Sequence, residues 1–291
     1  MSVTTPTIIV TGKNGQLGSE LLDIHMSYPG YKFVFLDRNQ LDLAKPEQFE
    51  AIFEQYKPAF FINAGAYTAV DKAETEKELA MAVNGIAPGK IATLCREYGA
   101  KLIHISTDYV FDGNGTAPYM PDQATHPLNY YGQTKLKGEE SALAHNPGTI
   151  IIRTAWVYSA YGHNFVKTML RLMSERPSIN VVGDQYGAPT YARDLALAIM
   201  DIIGKGAAHQ GIYHFSNEGK ISWYDFARAI RDLAGLTCAV NEITTADFPT
   251  PAKRPAYSVL DKGSLIRDYG IQPRDWQVAL KECLGYLQRL A

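Results

Sequence analysis

The architecture of this chain can be derived from one segment near its N-terminus, Thr7-Ile8-Ile9-Val10-Thr11-Gly12-Lys13-Asn14-Gly15-Gln16-Leu17-Gly18. Its first five residues are apolar or β-branched, which predicts a buried strand. Ser19-Glu20-Leu21-Leu22 comes directly after it and predicts a helix. A strand, a glycine-rich turn and a helix in this order form the context of a dinucleotide-binding fingerprint.

Each glycine of that segment has its own expected role. Gly12 permits the tight turn, Gly15 lets backbone N–H groups approach a pyrophosphate, and Gly18 lets the helix pack against the strand. The spacing is G-x-x-G-x-x-G rather than the standard G-x-G-x-x-G, and no Lys-Ser/Thr pair closes it as in a P-loop. An ordinary glycine-rich turn is the alternative, and the next strand makes it the less favoured one.

That next strand is the apolar run Tyr31–Leu36, which ends in an acid and a base. Asp37 stands where a carboxylate can bond the ribose 2′-OH, which favours NAD, whereas the guanidinium of Arg38 can pair with a 2′-phosphate, which favours NADP. Because the two signals oppose each other, we expect use of both NADH and NADPH. Asp42 and Leu43 would lie in the loop near the adenine, although a plain turn acid explains Asp42 equally well.

Strands and helices alternate through the first half of the chain. Further strands are predicted at 59–63, 101–106 and 149–153, and helices at 46–56 and 79–98. This alternation predicts an α/β fold with a doubly wound, Rossmann-like parallel sheet. Ligands of such a sheet bind at the carboxyl ends of its strands, and every motif described here follows a strand end.

The pattern changes after Arg153, where proline and glycine punctuate the chain more often. We interpret this part as a smaller, discontinuous C-terminal substrate-binding lobe. The predicted dinucleotide-binding domain covers residues 1–154, and residues 191–217 return to it. The lobe is then formed by 155–190 and 218–291.

Composition excludes several classes of protein. The chain has 291 residues, a formal net charge of −2 and a pI near 6.4, so nothing predicts binding to nucleic acid or to an anionic membrane. No apolar run approaches the roughly 20 residues of a membrane span, and residues 1–6 show no export signal. The three cysteines and the histidines are scattered without ligand spacing, so we expect no metal site and a reducing, cytoplasmic compartment.

Tyr131 and Lys135 suggest the chemistry. Four positions apart on a helix, they share one face, and an ammonium beside a phenol should lower the tyrosine pKa. A tyrosine tuned in this way can donate a proton to a carbonyl that receives hydride. Most such pairs simply form a helix face, but here Ser106 and Thr107 end the fourth strand, and a hydroxyl there can act as a second donor to the carbonyl oxygen.

Together these motifs resemble the extended short-chain dehydrogenase/reductase superfamily, and within it the dTDP-4-dehydrorhamnose reductase family. The resemblance covers essentially the whole chain. It is carried by Thr11–Gly18, Asn63–Thr68, Ser106–Phe111, Tyr131–Lys135, Arg153–Tyr158, Gly183–Thr190 and Pro251–Pro255.

The resemblance implies NAD(P)H-dependent reduction of the C4 ketone of dTDP-4-dehydro-L-rhamnose to dTDP-L-rhamnose. Tyr131 would donate the proton, Lys135 would lower its pKa, and Thr107 would bond the C4 oxygen. Thr107, Asp108, Trp156 and Arg254 would bind the substrate, although Arg254 could instead be a surface arginine of its proline-rich loop. Asn84 would lie behind the site. The implied cofactor-binding residues are Gly12, Gly15, Gln16, Leu17, Gly18, Asp37, Arg38, Asp42, Leu43, Ala64, Gly65, Ala66, Tyr67, Thr68, Tyr131 and Lys135.

Other functions within the superfamily are weighed by single residues. Sugar-nucleotide dehydratases carry Asp-Glu where this chain has Asp108-Tyr109, so the base for elimination of water is missing. An epimerase or another ketoreductase stays open, and so does a non-catalytic subunit resembling the regulatory β subunit of methionine adenosyltransferase. Members of the family are often dimers, so a homodimer is possible here, but the sequence shows no apolar stripe that would mark its interface.

Overall fold

The structure is a computed structural model that describes residues 5–290. We expect no export signal in residues 1–6, and the first four of these lie outside the described residues. Each predicted strand is present to within a residue or two at its ends. The strands are β1 Thr7–Thr11, β2 Lys32–Leu36, β3 Phe60–Asn63, β4 Lys101–Thr107, β5 Ile150–Thr154, β6 Val157–Tyr158, β7 Ser178–Val182, β8 Tyr186–Gly187, β9 Thr190–Tyr191, β10 Gly211–Phe215, β11 Ile221–Ser222 and β12 Ala239–Ile243.

Six of these strands form one sheet in the order β10-β5-β4-β3-β1-β2, and every neighbouring pair is parallel. The predicted parallel α/β fold is therefore confirmed. β10 pairs with β5 at the sheet edge, so the chain returns to the main sheet where the sequence predicted it. Parallel pairing brings the carboxyl ends of β1, β3, β4 and β5 to one edge.

Helices connect the strands. They are α1 Gln16–Ile24, α2 Phe49–Tyr56, α3 Lys77–Met81, α4 Ala87–Glu97, α5 Tyr130–His145, α6 Phe165–Glu175, α7 Ala192–Gly204, α8 Trp223–Leu233, α9 Gly263–Tyr269 and α10 Trp276–Leu290. Across the described residues, none of these helices has the length and apolar character needed to cross a membrane.

Both faces of the sheet are covered, which explains why its strands are continuous apolar runs rather than alternating ones. Leu21 from α1, Ile199 from α7 and Leu265 from α9 pack on one face. Phe53 from α2 and Ile91 from α4 pack on the other. The sheet is therefore doubly wound, as the sequence predicted.

Two helix predictions differ from the structure. The first helix begins at Gln16 instead of after Gly18, so Gly18 lies inside α1. The helix predicted over 79–98 consists of α3 and α4 separated by a π-helical turn, Ala82–Ile86. A π-helical turn inserts an extra residue and often occurs at functional sites. Asn84 lies in this turn and is buried.

A second hydrophobic core lies in the C-terminal half. It combines residues of α6, α8 and α10 with the two-stranded β7–β12 sheet, for example Val166, Val181, Phe226 and Leu280. Separate cores agree with a division into two lobes. The residue boundaries of the lobes stay a prediction.

An ion pair is buried between β5 and α5. Arg153 contacts both carboxylate oxygens of Glu139, at 3.0 Å and 3.2 Å from Nε and 2.7 Å from Nη2, and both side chains are at most 3% exposed. Arg153 also donates to the Pro121 carbonyl and lies over the Phe111 ring. Because such a pair is satisfied on all sides, removing one partner leaves an uncompensated charge in the core.

We therefore expect Arg153→Met to lower the free energy of unfolding by about 3–5 kcal/mol, since Glu139 is left buried and unpaired. Urea denaturation measures the change. The matched control is Arg171→Met, which breaks an exposed pair with Glu175 and should cost at most about 1 kcal/mol. Equal losses of unfolding free energy in the two variants would show that the buried Arg153–Glu139 pair contributes no more to stability than the exposed pair.

Candidate active site

The sequence-predicted site residues converge at the carboxyl edge of the sheet. They lie at the ends of β1, β2, β3, β4 and β5 or in the segments that follow, in the first turn of α1, on the first two turns of α5, and in one C-terminal loop. Leu17 is an exception in one respect, because its side chain packs in the hydrophobic core, so only its backbone could face a cofactor.

The glycine turn after β1 is formed by close backbone contacts. Gly12 has φ +73°, and a Cβ there would lie 2.8 Å from the nitrogen of Gly65. A Cβ on Gly18 would collide with the carbonyl oxygen of Gly12. Gly15, the residue before α1, has no side chain with which to cap the first turn. The free N–H groups and the positive end of α1 therefore suit a pyrophosphate, and the turn fits a dinucleotide.

The loop after β2 holds Asp37 and Arg38. One carboxylate oxygen of Asp37 accepts hydrogen bonds from the backbone N–H groups of Asn39 and Gln40, at 2.9 Å and 3.2 Å. The guanidinium of Arg38 is 74% exposed and lies 3.8 Å from Asp42. Asp37 is thus fixed by its own loop, whereas Arg38 is free to turn toward a 2′-phosphate.

Buried polar residues hold the loop after β3 in place. Thr11 accepts from the Gly65 N–H at 3.1 Å and donates to Asn63 at 2.8 Å. Asn84 accepts from the Tyr67 N–H at 2.9 Å and donates to the Tyr67 carbonyl at 3.0 Å. Asn84 therefore lies behind the site, where the sequence placed it, and it fixes the backbone of the predicted cofactor loop.

The same asparagine contacts the helix that carries the predicted catalytic pair, Tyr131 and Lys135. Asn84 donates to the hydroxyl of Thr134 at 3.1 Å, and Thr134 donates to the carbonyl of Tyr131 at 2.8 Å. The N-terminus of α5 is capped by Asn129, which accepts from the Gly132 N–H at 2.9 Å. Both ends of the segment around Tyr131 are thus held by side-chain hydrogen bonds.

Tyr131 and Lys135 lie on the face of α5 that is turned toward β4. The ammonium of Lys135 is buried and donates to the carbonyl oxygen of Ile105 at 2.6 Å. Tyr131 is 9% exposed and meets the ring of Tyr109 edge to face, with centroids 5.5 Å apart. The pair therefore lies beneath the end of β4, next to the loop that carries Thr107.

The pKa values of this pair differ from the expectation. Burial raises the pKa of Tyr131 to about 12, while a hydrogen bond with Thr107 partly opposes the rise. Burial also lowers the pKa of Lys135 to about 8, and the nearby Glu139 carboxylate opposes that change. In the protein alone, desolvation decides the direction, so the predicted lowering of the tyrosine pKa is wrong for this state.

Thr107 and Asp108 form the next part of the site. Thr107 donates its hydroxyl proton to Asp108 at 2.9 Å and accepts from the Tyr109 N–H at 3.2 Å. Burial raises the pKa of Asp108 to about 6, and its contacts with Thr107 and Ser258 lower it. Tyr131, Thr107 and Asp108 therefore form a row of hydroxyl and carboxyl groups.

Two predicted substrate residues, Trp156 and Arg254, come from segments later in the chain. Trp156 follows β5, is half-buried and has a left-handed backbone with φ +50°. Arg254 forms an ion pair with Asp71 at 2.9 Å and donates to the carbonyl of Ala252 at 3.1 Å. Asp71 thus holds the guanidinium that the sequence assigned to a diphosphate.

The histidine of β4 is a core residue. His104 is 1% exposed, its ring faces Asn63 at 3.1 Å, and burial keeps its pKa well below the usual 6.5. Among residues 5–290, no group of three or more His, Cys, Asp or Glu side chains is arranged to hold a metal ion.

Several residues that matter to the site were missed by sequence reasoning. Asn63 and Thr134 lie within quoted motifs but were given no role, because they bond side chains far away in sequence. Asp71 lies in a loop without a motif. Tyr109 was noticed only as a departure from Asp-Glu, yet its ring packs on Tyr131. A hydroxyl or amide at a strand end was the one signal that pointed to Asn63.

Comparisons with known proteins agree with this geometry. The profile of the family described as RmlD substrate binding domain matches residues 6–289. A dTDP-4-dehydrorhamnose reductase of Aggregatibacter actinomycetemcomitans is 42% identical, with 97% of this chain and 99% of the relative covered.

Solved structures give the same result. A dTDP-4-dehydrorhamnose reductase from Clostridium acetobutylicum superimposes with a TM-score of 0.93 and 40% identity, covering 97% of this chain and 99% of that one. The enzyme of the same name from Bacillus anthracis, solved in complex with NADP, has a TM-score of 0.93 and 36% identity, covering 97% and 100%.

The lowered pKa of Lys135 predicts a pH dependence of stability. Its folded value of about 8 lies below the 10.5 of an unperturbed lysine, so between these values the folded protein binds fewer protons than the unfolded chain. The contribution of Lys135 to the free energy of unfolding should therefore rise with pH, by roughly 1 kcal/mol from about pH 7 to about pH 9.

Urea denaturation of the wild type and of Lys135→Met isolates this contribution, because the variant should lack it. Lys137→Met is the control, since that side chain on the same helix is 60% exposed and should leave the pH slope unchanged. A wild-type slope identical to that of Lys135→Met would contradict the assigned pKa.

Proposed function

The chain belongs to the RmlD substrate binding domain family, and from this premise we propose that it catalyses the NAD(P)H-dependent reduction of the C4 ketone of dTDP-4-dehydro-L-rhamnose to dTDP-L-rhamnose. The observation that carries the proposal is the row Tyr131, Thr107 and Asp108 beside the glycine turn at one edge of the sheet. A proton donor and a pyrophosphate cradle at one edge are what a carbonyl reduction requires.

NAD(P)H, when bound, supplies the hydride for C4. Tyr131 supplies the proton. Because burial holds its pKa near 12, the phenol keeps its proton until negative charge develops on the substrate oxygen. Its ring cannot swing away easily, since Tyr109 packs against it and Asn129 and Thr134 fix the backbone of α5.

Lys135 stabilises the phenolate that proton donation leaves behind. Its ammonium is held in place by the carbonyl of Ile105, and the Glu139 carboxylate favours its charged form. A positive charge that is already fixed in a buried site can stabilise the phenolate without reorganisation of its surroundings. Such charges are most effective in sites that exclude water. The buried Arg153–Glu139 pair therefore supports the charge of Lys135 from behind.

Thr107 is the second hydroxyl at the reacting oxygen. In the structure its proton is directed to Asp108, and its oxygen also accepts from the Tyr109 N–H. We assign Thr107 to the C4 oxygen, and Asp108, as an acceptor, to the sugar hydroxyls. The residue after Asp108 supports reduction over dehydration, because burial raises the pKa of the Tyr109 phenol and the phenol is no base at neutral pH.

The cofactor-binding assignments extend along the same edge. We assign the backbone N–H groups at Gln16 and Leu17 to the pyrophosphate. Gly12, Gly15 and Gly18 shape the turn, and the Gly15 N–H closes it by donating to the carbonyl of Gly12 at 2.8 Å. The adenosine end is assigned to Asp37, Arg38, Asp42 and Leu43, and the loop Ala64–Thr68 to the opposite wall. Exposed Arg38 beside a fixed Asp37 favours the use of both NADPH and NADH.

Trp156 and Arg254 are assigned to the sugar nucleotide. For Arg254 this assignment requires the diphosphate to compete with Asp71, which holds the guanidinium at 2.9 Å. A bidentate guanidinium can serve both anions at once. With this function we also expect a cytoplasmic protein, a homodimer, and no nucleic-acid partner. The net charge of −2 agrees with the absence of a nucleic-acid partner.

The first test is turnover of NADPH and of NADH with enzymatically generated dTDP-4-dehydro-L-rhamnose. Tyr131→Phe should lower kcat by about 100- to 10,000-fold, because the proton donor is lost while the ring packing is kept. Tyr130→Phe removes the neighbouring hydroxyl and should stay within about threefold of wild type. Cofactor binding without turnover in the wild type would instead favour a non-catalytic subunit.

Cofactor choice provides a second test. We expect Arg38→Ala to lower the ratio of kcat/KM for NADPH to kcat/KM for NADH by about tenfold, because a charge-assisted contact to the 2′-phosphate is lost. Steady-state kinetics with both cofactors measure the ratio, with Arg171→Ala as an exposed control on α6. An unchanged ratio would remove Arg38 from the cofactor site.

A further inference from the structure

Trp156 occupies a backbone conformation that its side chain disfavours. Its φ of +50° lies in the left-handed region, where a non-glycine residue persists only if its surroundings hold it. The carbonyl of Trp156 accepts from the Thr190 N–H at 3.2 Å, which fixes one side of the peptide. That single bond leaves the position of the indole to be explained.

The indole is held by a second tryptophan. The rings of Trp156 and Trp223 stack face to face, with centroids 3.5 Å apart and planes inclined by 12°. Phe165 packs on Trp223 in turn, at 4.6 Å between centroids. Trp156 remains half-buried, so one face is covered by Trp223 while part of the indole stays accessible.

The edge of the same indole is confined by β8. A Cβ on Gly187 would lie 2.6 Å from Cε2 and 2.8 Å from Cζ2 of Trp156, so no side chain fits between them. That Cβ would also lie 2.8 Å from the hydroxyl oxygen of Ser258, which donates to the Tyr186 carbonyl at 3.4 Å. The indole also packs against the hydrophobic cluster that contains Val110 and Phe111, which follow Asp108 closely in the chain. Trp156 is therefore placed next to the Asp108 side of the site.

Trp223 is itself rigidly placed. It is the first residue of α8, and the helix begins with a capping box in which Ser222 and Asp225 bond reciprocally. β11, directly before it, pairs with β8, so Ile221 lies opposite Gly187. The two elements that confine the Trp156 indole are thus joined to each other by backbone hydrogen bonds.

We propose that Trp223 is a positioning residue for the sugar-nucleotide substrate. It holds the Trp156 indole in its left-handed position, so that the uncovered part of the indole packs against the substrate beside Asp108. Trp223 acts only through Trp156 and has no part in hydride or proton transfer. This proposal rests on the proposed function and names a residue that decides how well the substrate binds.

The test compares Trp223→Ala, Trp223→Phe and Gly187→Ala with Trp276→Phe. Trp276, the third tryptophan, packs against Phe226 on α8 and is the matched control. Two stacked indoles couple their electronic transitions and give paired circular dichroism bands of opposite sign in the far ultraviolet. This couplet reports the stack, calorimetry with dTDP-L-rhamnose reports binding of the sugar nucleotide, and steady-state kinetics separate KM from kcat.

We expect Trp223→Ala to lose the couplet and to raise both the KM for the ketosugar substrate and the Kd for dTDP-L-rhamnose by about tenfold, with kcat and NADPH affinity within about threefold. Trp223→Phe should restore most of the binding, and Trp276→Phe should keep the couplet and the KM. Gly187→Ala, which moves the indole from its other side, should raise KM with Trp223 intact. This variant keeps the test decisive if Trp223→Ala does not fold.

Loss of the couplet with unchanged KM and unchanged affinity for dTDP-L-rhamnose would overturn the proposal. Failure of the proposed function is distinguishable, because the wild type would then bind dTDP-L-rhamnose without turning over the ketosugar, and the effect of Trp223 on that binding could still be measured. A wild-type protein that neither binds dTDP-L-rhamnose nor turns over the ketosugar would overturn both.

Discussion

The site depends on the absence of a side chain at Gly12. A Cβ on Gly12 would collide with the backbone of Ala64 and Gly65. The carbonyl of Gly12 in turn lies so close to Gly18 of α1 that a Cβ on Gly18 would collide with it. This contact brings the N-terminus of α1 and the loop after β3 to the end of β1. The positive end of a helix, the free N–H groups and the cofactor loop then face one space. Thr11, which bonds Gly65 and Asn63, reinforces the contact from below.

A chain of buried charges provides the second support. Arg153 neutralises Glu139, Glu139 favours the charged form of Lys135, and Lys135 is fixed on the Ile105 carbonyl beneath the end of β4. Each group would be costly alone, because an ionised group in a low-dielectric interior needs a partner. Stability and catalysis are thus linked in one network, in which a change made for stability at Arg153 reaches the ammonium beside Tyr131.

Local features of the sequence predicted much of the fold. The apolar runs of β1 to β5, the return of β10 and the glycine turn were predictable, because periodicity and glycine placement act over a few residues. The π-helical turn around Asn84, the Asp71–Arg254 pair and the Trp156–Trp223 stack were not, because their partners meet only after the chain has folded. The pKa of Tyr131 was predicted in the wrong direction for the same reason, since burial of the ring cannot be read from its spacing to Lys135.

We propose that NAD(P)H bound at this edge of the sheet supplies the hydride for C4 of a nucleotide-linked ketosugar while Tyr131 supplies the proton. The decisive measurement is the fate of deuterium from NADPH labelled on the transferable position, with the product analysed by NMR and mass spectrometry. We expect dTDP-L-rhamnose that carries the deuterium on C4 of the hexose, formed in equal amount to the NADPH consumed. Product formed without net consumption of NADPH, or deuterium on another carbon, would contradict it.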